Sequence, residues 1–196
     1  MNQPSDRHHR YTFTDFLSYE DGSNTKHEFL DGEIYAMAGG TPEHAALAAA
    51  LTTIIGGQLG DGPCRVFSAD LKIRVLATGL VSYPDVSVIC GTIEHDPQSR
   101  MVALNPTLLV EVLSDSTQDW DRGEKLEHYK QIPSLQECLL VSHRSPTLDL
   151  WRRNPDGSWG TKSATTGESL RLESVQGLVI VVDQIYRRAL GEGHHF

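Results

Sequence analysis

A chain of 196 residues, 39% of them hydrophobic, is long enough to close one sizeable core, and it has no apolar run of about 20 residues that could span a bilayer. Its formal net charge of -9 excludes a protein that holds nucleic acid by bulk electrostatics, which takes clustered Lys and Arg. The acidity belongs to the first three quarters, because from Arg144 onward seven Lys/Arg face six Asp/Glu.

In chain order, residues 1–10 read as a polar leader, 11–190 as a single domain and 191–196 as a tail. Thr14-Asp15-Phe16-Leu17 opens a short helix capped by Thr12 or Thr14. Lys26 to Leu30 and Glu33 to Met37 flank Asp31-Gly32, a two-residue turn suited to right-twisted strands. Thr41-Pro42 starts a helix that runs to about Leu59, ended by Gly60-Asp61-Gly62-Pro63. Strands are expected at Cys64 to Phe67, Leu71 to Leu76 and Val81 to Cys90. A polar separator spans Gly91 to Arg100, and a further strand covers Thr107 to Leu113. Ser114-Asp115-Ser116-Thr117 caps a helix from about Gln118 to Ile132, stopped by Pro133.

Leu135 to Ser142 returns as a strand parallel to the Thr107 to Leu113 one. Leu148 to Arg153 and Trp159 to Ser163 make a hairpin around Asn154-Pro155-Asp156-Gly157; Ser169 to Leu172, Leu178 to Val182 and a helix through Arg188 close the chain. The order gives an α/β fold with a mixed sheet and helices on its faces. Cys64, Cys90 and Cys138 are odd in number, without C-x-x-C spacing, and the N-terminus lacks an apolar core. A cytoplasmic protein whose Cys64 and Cys138 pack as small hydrophobes is expected.

The chemistry lies in two acids placed inside apolar runs. Asp85 opens Val86-Ser87-Val88-Ile89, and Glu111 interrupts Leu108-Leu109-Val110 and Val112-Leu113. A carboxylate left among strand residues costs several kcal/mol unless a cation or hydrogen-bond donors compensate. If the two strands are neighbours, Asp85 and Glu111 converge on one divalent ion. Hard oxygen ligands completed by water suit Mg²⁺, or Mn²⁺, rather than Zn²⁺. Lys125 follows on the next helix, within reach of such a site; with Asp121 at i,i+4 it would otherwise be surface helix support. Glu33 is either an exposed hairpin residue or a third carboxylate. His44, in the first turn of the Thr41-capped helix, faces solvent or contacts substrate. No Ser or Cys has a convincing His partner, which disfavours covalent acyl chemistry.

Taken together, Asp-Gly-Glu33, His44 after Thr-Pro-Glu, Tyr-Pro-Asp85-Val-Ser-Val, Pro106-Thr-Leu-Leu-Val-Glu111-Val-Leu-Ser114 and Asp121-Arg-Gly-Glu-Lys125 with Tyr129 resemble the Uma-two family. That family belongs to the PD-(D/E)XK restriction-endonuclease-like superfamily. The resemblance covers roughly Tyr11 to Arg188 and implies a restriction-endonuclease-like mixed central sheet with additional C-terminal hairpin strands. It implies that Asp85, Glu111 and the main-chain carbonyl of Val112 bind Mg²⁺, that Lys125 activates the attacking water and that Glu33 is an extra acid. It also implies a homodimer. Leu113 stands where the superfamily motif has lysine, and Lys125 looks like its replacement. The expected activity is metal-dependent DNA endonuclease; the alternative is a binding or assembly module that keeps the fold without turnover. If DNA is bound, Arg152 and Arg153 in the less acidic C-terminal part are the expected contacts.

Overall fold

The computed structural model describes residues 10–37, 39–115, 117–175 and 177–191. The expected leader apart from Arg10, the tail apart from Gly191, and Ser116 lie outside the described residues. Thr12 closes a capping box with Asp15, each accepting the other's backbone N–H at 3.1 and 2.8 Å, and so starts α1 (Phe13–Asp21). Asp31 (φ 53) and Gly32 (φ 83) supply the left-handed pair of a primed turn. It folds β1 (His27–Leu30) onto β2 (Glu33–Ala36), with Leu30 opposite Glu33.

Helix α2 (Pro42–Leu59) begins with the Thr41 side chain accepting from His44 N. There follow β3 (Cys64–Ser68), β4 (Lys72–Arg74), β5 (Val81–Ser82), β6 (Val86–Cys90), β7 (His95–Asp96), β8 (Ser99–Ala103) and β9 (Leu108–Leu113). Then come α3 (Gln118–Arg122), α4 (Glu124–Tyr129), β10 (Glu137–Ser142), β11 (Thr147–Arg153), β12 (Trp159–Thr165) and β13 (Ser169–Leu172). A 3-10 turn at Glu173–Val175, β14 (Leu178–Val181) and α5 (Val182–Leu190) finish the chain.

Two mixed sheets of six strands result, ordered β2-β1-β5-β4-β8-β7 and β12-β11-β10-β9-β6-β3, with β13-β14 as a separate hairpin. The second sheet contains the expected parallel crossover, β9 beside β10, and the expected pairing of β6 with β9, which is antiparallel. Three expectations are corrected. The 81–90 strand is interrupted at Tyr83-Pro84-Asp85, because proline has no N–H to give a ladder; β5 joins the first sheet and β6 the second. The polar separator contains β7 and the start of β8, held by pairing and by the Asp96 carboxylate on Arg74 at 2.8 Å, with Val102 and Ala103 at the end of β8 buried in the core. The helix after β9 is broken at Gly123, whose φ of -102 and ψ of -105 end α3 before α4 begins.

Period-two alternation divides β9 between two cores. Leu108, Val110 and Val112 face α2, α5 and the β13-β14 hairpin, packing with Leu51, Ile55 and Ile180. Leu109 and Leu113 face the other way, toward Leu80, Leu126 and Tyr129. Helix α2 is apolar around much of its circumference because it is covered on both sides; Gln58 ties it to β14 by exchanging two hydrogen bonds with the Val179 backbone at 2.8 and 3.0 Å. Burial of such faces contributes about 25 cal/mol per Å² of apolar surface removed from water.

The reading of Cys64 as an unpaired hydrophobe is also corrected. Cys64 lies opposite Cys90 in the β3–β6 register, and the two form a disulfide. A pairing 26 residues apart in sequence needs the strand register to be seen, and the cysteine count therefore no longer argues for a reducing compartment. Cys138 is free and buried as expected. No helix among the described residues is long and apolar enough to cross a membrane.

A Cβ added at Gly123 would meet the Asp119 carbonyl oxygen at 2.8 Å, so the α3–α4 break requires glycine. Gly123→Ala is expected to cost about 1–3 kcal/mol of unfolding free energy, the usual range for overpacking. A urea midpoint equal to wild type would show that this break relaxes freely.

Candidate active site

The β6–β9 register fixes the two acids. Val86 pairs with Val110, Ser87 with Leu109 and Val88 with Leu108, and the ladder stops there; Asp85, just before β6, and Glu111, just after Val110, both line one cavity. Both belong to the face that carries Leu109 and Leu113, the one turned toward the first sheet and α4. Asp85 Oδ2 accepts the Val112 N–H at 2.7 Å, which caps the end of the ladder where Pro84 stops it.

Glu111 is 4% exposed and Lys125 also 4%. Lys125 Nζ stands 3.0 Å from Glu111 Oε1, 2.9 Å from Glu28 Oε1 and 3.2 Å from Asp121 Oδ1. The i,i+4 pair with Asp121 is present but buried, so it is not surface helix support. The Tyr129 hydroxyl donates to Glu111 Oε1 at 2.6 Å. Ser82 Oγ, 2.9 Å from that hydroxyl, must then be the donor of their contact. Burial pushes the Glu111 carboxyl up to about 8, against the pull of Lys125 and the Tyr129 hydrogen bond. Burial works to lower Lys125, but Glu111, Glu28 and Asp121 outweigh it and hold the ammonium well above its usual range. The protonated lysine is the firmer of the two states, since three carboxylates surround it.

Glu28, Asp85, Glu111, Asp121 and Lys125 line a cavity of about 310 Å³ that also takes in Tyr35, His44, Tyr83 and Trp120. His44 is half-buried, with Nε2 3.3 Å from Asp85 Oδ2. A hydrogen bond to Asp85 holds its imidazole above the usual range, burial opposing and the Val112 carbonyl adding a second acceptor. The solvent-facing alternative for His44 is therefore set aside. Gly40 makes room for it, because a Cβ there would stand 2.7 Å from His44 Nδ1.

The third acid of the cavity is not Glu33. Glu33 is exposed at the hairpin tip, accepts a hydrogen bond from Tyr35 at 2.7 Å and does not line the cavity. Glu28, opposite Tyr35 in the hairpin, occupies the place expected of it. The signal lies in the sequence: Glu28 shares its strand face with Leu30, a core residue, as Glu111 does with Leu109. Trp120 Nε1 donates to Glu28 Oε2 at 3.3 Å.

Arg152 and Arg153 are likewise not brought to the site. Arg152 pairs with fully buried Glu137 at 2.7 Å and with Glu173 at 3.1 Å. Arg153 donates to the carbonyls of Lys130, Ile132 and Leu135 and lies over the Trp159 ring. Both are occupied within the fold as structural ties, and neither lines the acidic cavity.

The donor set fits a hard divalent cation. Four carboxylates, Glu28, Asp85, Glu111 and Asp121, face one ammonium and one imidazole, and the buried Glu28 Oε1 is held by the Lys125 ammonium. No cage of three or more His, Cys, Asp or Glu ligands converges among the described residues. Carboxylate oxygens are hard ligands, the kind that a divalent cation completed by water takes.

Mixed sheets flanked by helices, with a pair of strand-borne acids at their seam, define a restriction-endonuclease-like α/β fold. The chain superposes on the crystal structure of "a putative nuclease belonging to DUF820" from Anabaena variabilis ATCC 29413 with a TM-score of 0.74 at 16% identity, covering 91% of this chain and 99% of that one. It belongs to the Uma-two family, whose model, described as "Putative restriction endonuclease", matches residues 13–183. Among its relatives are two uncharacterized proteins of Synechocystis sp. (strain ATCC 27184 / PCC 6803 / Kazusa). The protein slr1290 is 40% identical over 173 residues, 88% of this chain and 90% of that protein. The protein sll1609 is 30% identical over 162 residues, 83% and 91% of the two chains.

Removing the ammonium from this cluster strands buried carboxylates. Lys125→Met is expected to lose about 3–5 kcal/mol of stability in EDTA-containing buffer, the cost of breaking a buried pair from one side. A loss below about 1 kcal/mol in denaturant unfolding would return Lys125 to an exposed-pair role.

Proposed function

We propose that this protein is a metal-dependent nuclease that hydrolyses DNA phosphodiester bonds, with Mg²⁺, or Mn²⁺, held by Asp85, Glu111 and the Val112 carbonyl. The observation that supports it most is the gathering of Asp85, Glu111 and Lys125 in one cavity, with Lys125 Nζ 3.0 Å from Glu111. DNA as substrate and endonucleolytic cleavage rest on the family description.

A divalent ion at this position supplies an acidified water and neutralises charge on a phosphoryl oxygen. The chain's own groups do the rest. Tyr129 and Lys125 fix the Glu111 carboxylate from two sides, while the Val112 N–H fixes Asp85. The Lys125 ammonium, kept charged by its three acids, is placed to donate to the attacking water and to the negative charge that grows on the phosphoryl group. His44, whose imidazole the hydrogen bond to Asp85 holds above its usual range, stands at the cavity wall where it could meet a non-bridging oxygen.

A second reading, a catalytically silent binding or assembly module, draws on one observation. Every acid of the cavity already has an internal partner, Asp85 in His44 and the other three in Lys125.

Titration with Mn²⁺ and cleavage of plasmid and linear DNA separate the two. Wild type should cleave with Mg²⁺ or Mn²⁺ and stop in EDTA. Asp85→Asn should lose Mn²⁺ binding, and Lys125→Ala should keep it while cleavage falls by about 10²–10³, the range for losing one charge-stabilising donor. A wild type that binds Mn²⁺ and cleaves nothing would leave the silent module as the reading.

A further inference from the structure

Large apolar and aromatic side chains stand open to water at few places on this chain, and one of those places is the acidic cavity. Tyr11, Tyr19, Tyr35, Leu76, Met101 and Val181 are the exposed ones among the described residues, and of these Tyr35 alone lines the cavity. The hairpin places it there. Tyr35 lies opposite Glu28 in the β1–β2 register, and cross-strand partners project from the same face. The ring therefore shares the side that brings Glu28 to Lys125 at 2.9 Å. Its hydroxyl donates to Glu33 Oε2 at 2.7 Å, which anchors the polar tip while 49% of the residue stays in water. Trp120 adjoins the same carboxylate, with Nε1 3.3 Å from Glu28 Oε2. Of the two aromatic side chains beside Glu28, Trp120 packs against the core and Tyr35 does not need to.

The cavity's size and charge say what such a ring can meet. At about 310 Å³ it lies at the lower end of small-ligand sites, room for a single nucleotide rather than a paired stretch. A chain of net charge -9, with Arg152 and Arg153 tied within the fold, is poorly equipped to hold nucleic acid by neutralising phosphates. Stacking on an aromatic ring needs no charge and accepts every base, because each has a π-face. Inside a duplex both faces of a base are already stacked, and only an unpaired or flipped base has one to offer.

We propose that Tyr35 is a stacking platform for an unpaired base next to the scissile phosphate, which makes single-stranded or locally unpaired DNA the substrate of the acidic cavity. The inference rests on the nuclease reading and narrows its substrate class. Paired strands lie about 4.8 Å apart, so the ring stands one strand spacing from the residue that holds the Lys125 ammonium. That is within reach of the base attached to a phosphate bound at the cluster.

The test is fluorescence anisotropy of labelled oligonucleotides over a salt series, with Ca²⁺ present to prevent turnover: a single strand, the matched duplex, and that duplex with one unpaired nucleotide. Wild type should bind the single strand and the interrupted duplex more tightly than the matched one. Tyr35→Ala should weaken single-strand binding by about 5- to 150-fold, the range for one base–aromatic stack. The salt slope should not change, because no phosphate contact is lost. Tyr35→Phe, which keeps the ring and drops the bond to Glu33, should retain most of the affinity, and Tyr19→Ala, outside the cavity, should change little. A single strand carrying 2-aminopurine should lose fluorescence on binding wild type or Tyr35→Phe, and keep it with Tyr35→Ala. Equal Mn²⁺ affinity in every variant shows the acidic cluster intact. Single-strand binding that Tyr35→Ala leaves unchanged, or a wild type that prefers the matched duplex, overturns the stacking site and spares the nuclease reading. Wild type that binds none of the oligonucleotides also overturns the stacking site, and Mn²⁺-dependent cleavage then decides the nuclease reading by itself.

Discussion

Glu111 sits in the middle of a buried strand, and much of the surrounding architecture answers that one placement. Taking a carboxylate out of water costs several kcal/mol even after relaxation. One ammonium at 3.0 Å returns about 5 kcal/mol at an effective dielectric of 20, but Lys125 is buried too and carries its own penalty. The pair alone comes out near balance, and apolar residues of similar volume would hold the fold as well or better. Tyr129, Ser82, Glu28 and Asp121 are thus drawn into a cluster that stability does not call for. Such clusters, with pKa values displaced by burial and charge together, mark places where a protein does chemistry.

The seam between the two sheets decides where that cluster opens to solvent. Tyr83-Pro84-Asp85 carries the chain from β5 in one sheet to β6 in the other. Proline ends the ladder there, and Asp85 then satisfies the Val112 N–H that would otherwise lack a strand partner. The same three residues supply an aromatic wall, a rigid turn and a carboxylate. A continuous strand would have carried Asp85 into a ladder position and closed the cavity that Tyr83, Asp85 and Glu111 now line.

What the sequence made legible follows from how local each signal is. The Asp-Gly turn, the Thr41-Pro42 helix start and the parallel return after β9 depend on neighbours in the chain, and they stand as read. Asp85 and Glu111 stood out because charges inside apolar runs, or at their edge, break a pattern, whereas Lys125 in the polar run Asp121-Arg-Gly-Glu-Lys125 was singled out by the family resemblance. Glu28 breaks the same pattern more quietly, inside a four-residue strand, whereas Glu33 belongs to the more familiar turn motif and draws the eye first. The disulfide, the β7–β8 pairing and the occupation of Arg152 and Arg153 by Glu137 and by carbonyls are settled by contacts between distant segments. Net charge by region could not reveal that Arg152 is tied to Glu137 and Glu173 and Arg153 to backbone carbonyls; only their partners do.

The lysine shows how one substitution redirects an entire site. Position 113 shares the face of Glu111, and a lysine there would approach the carboxylate along its own strand. Leu113 instead is 2% exposed and packs with Leu126 and Tyr129, so the strand helps to seat α4 against the sheet. That contact holds the helix that delivers Lys125 from above, and the Gly123 break sets the helix apart from α3 while Asp121 at the end of α3 still reaches the same ammonium. A strand-borne lysine would be as rigid as the sheet. A helix-borne one depends on a six-residue helix and a glycine hinge, which makes the placement of the charge separable from the folding of the sheet that carries the acids. Changes confined to α4 can therefore alter Lys125 while Glu111 keeps its place on β9 and Asp85 its place just ahead of β6.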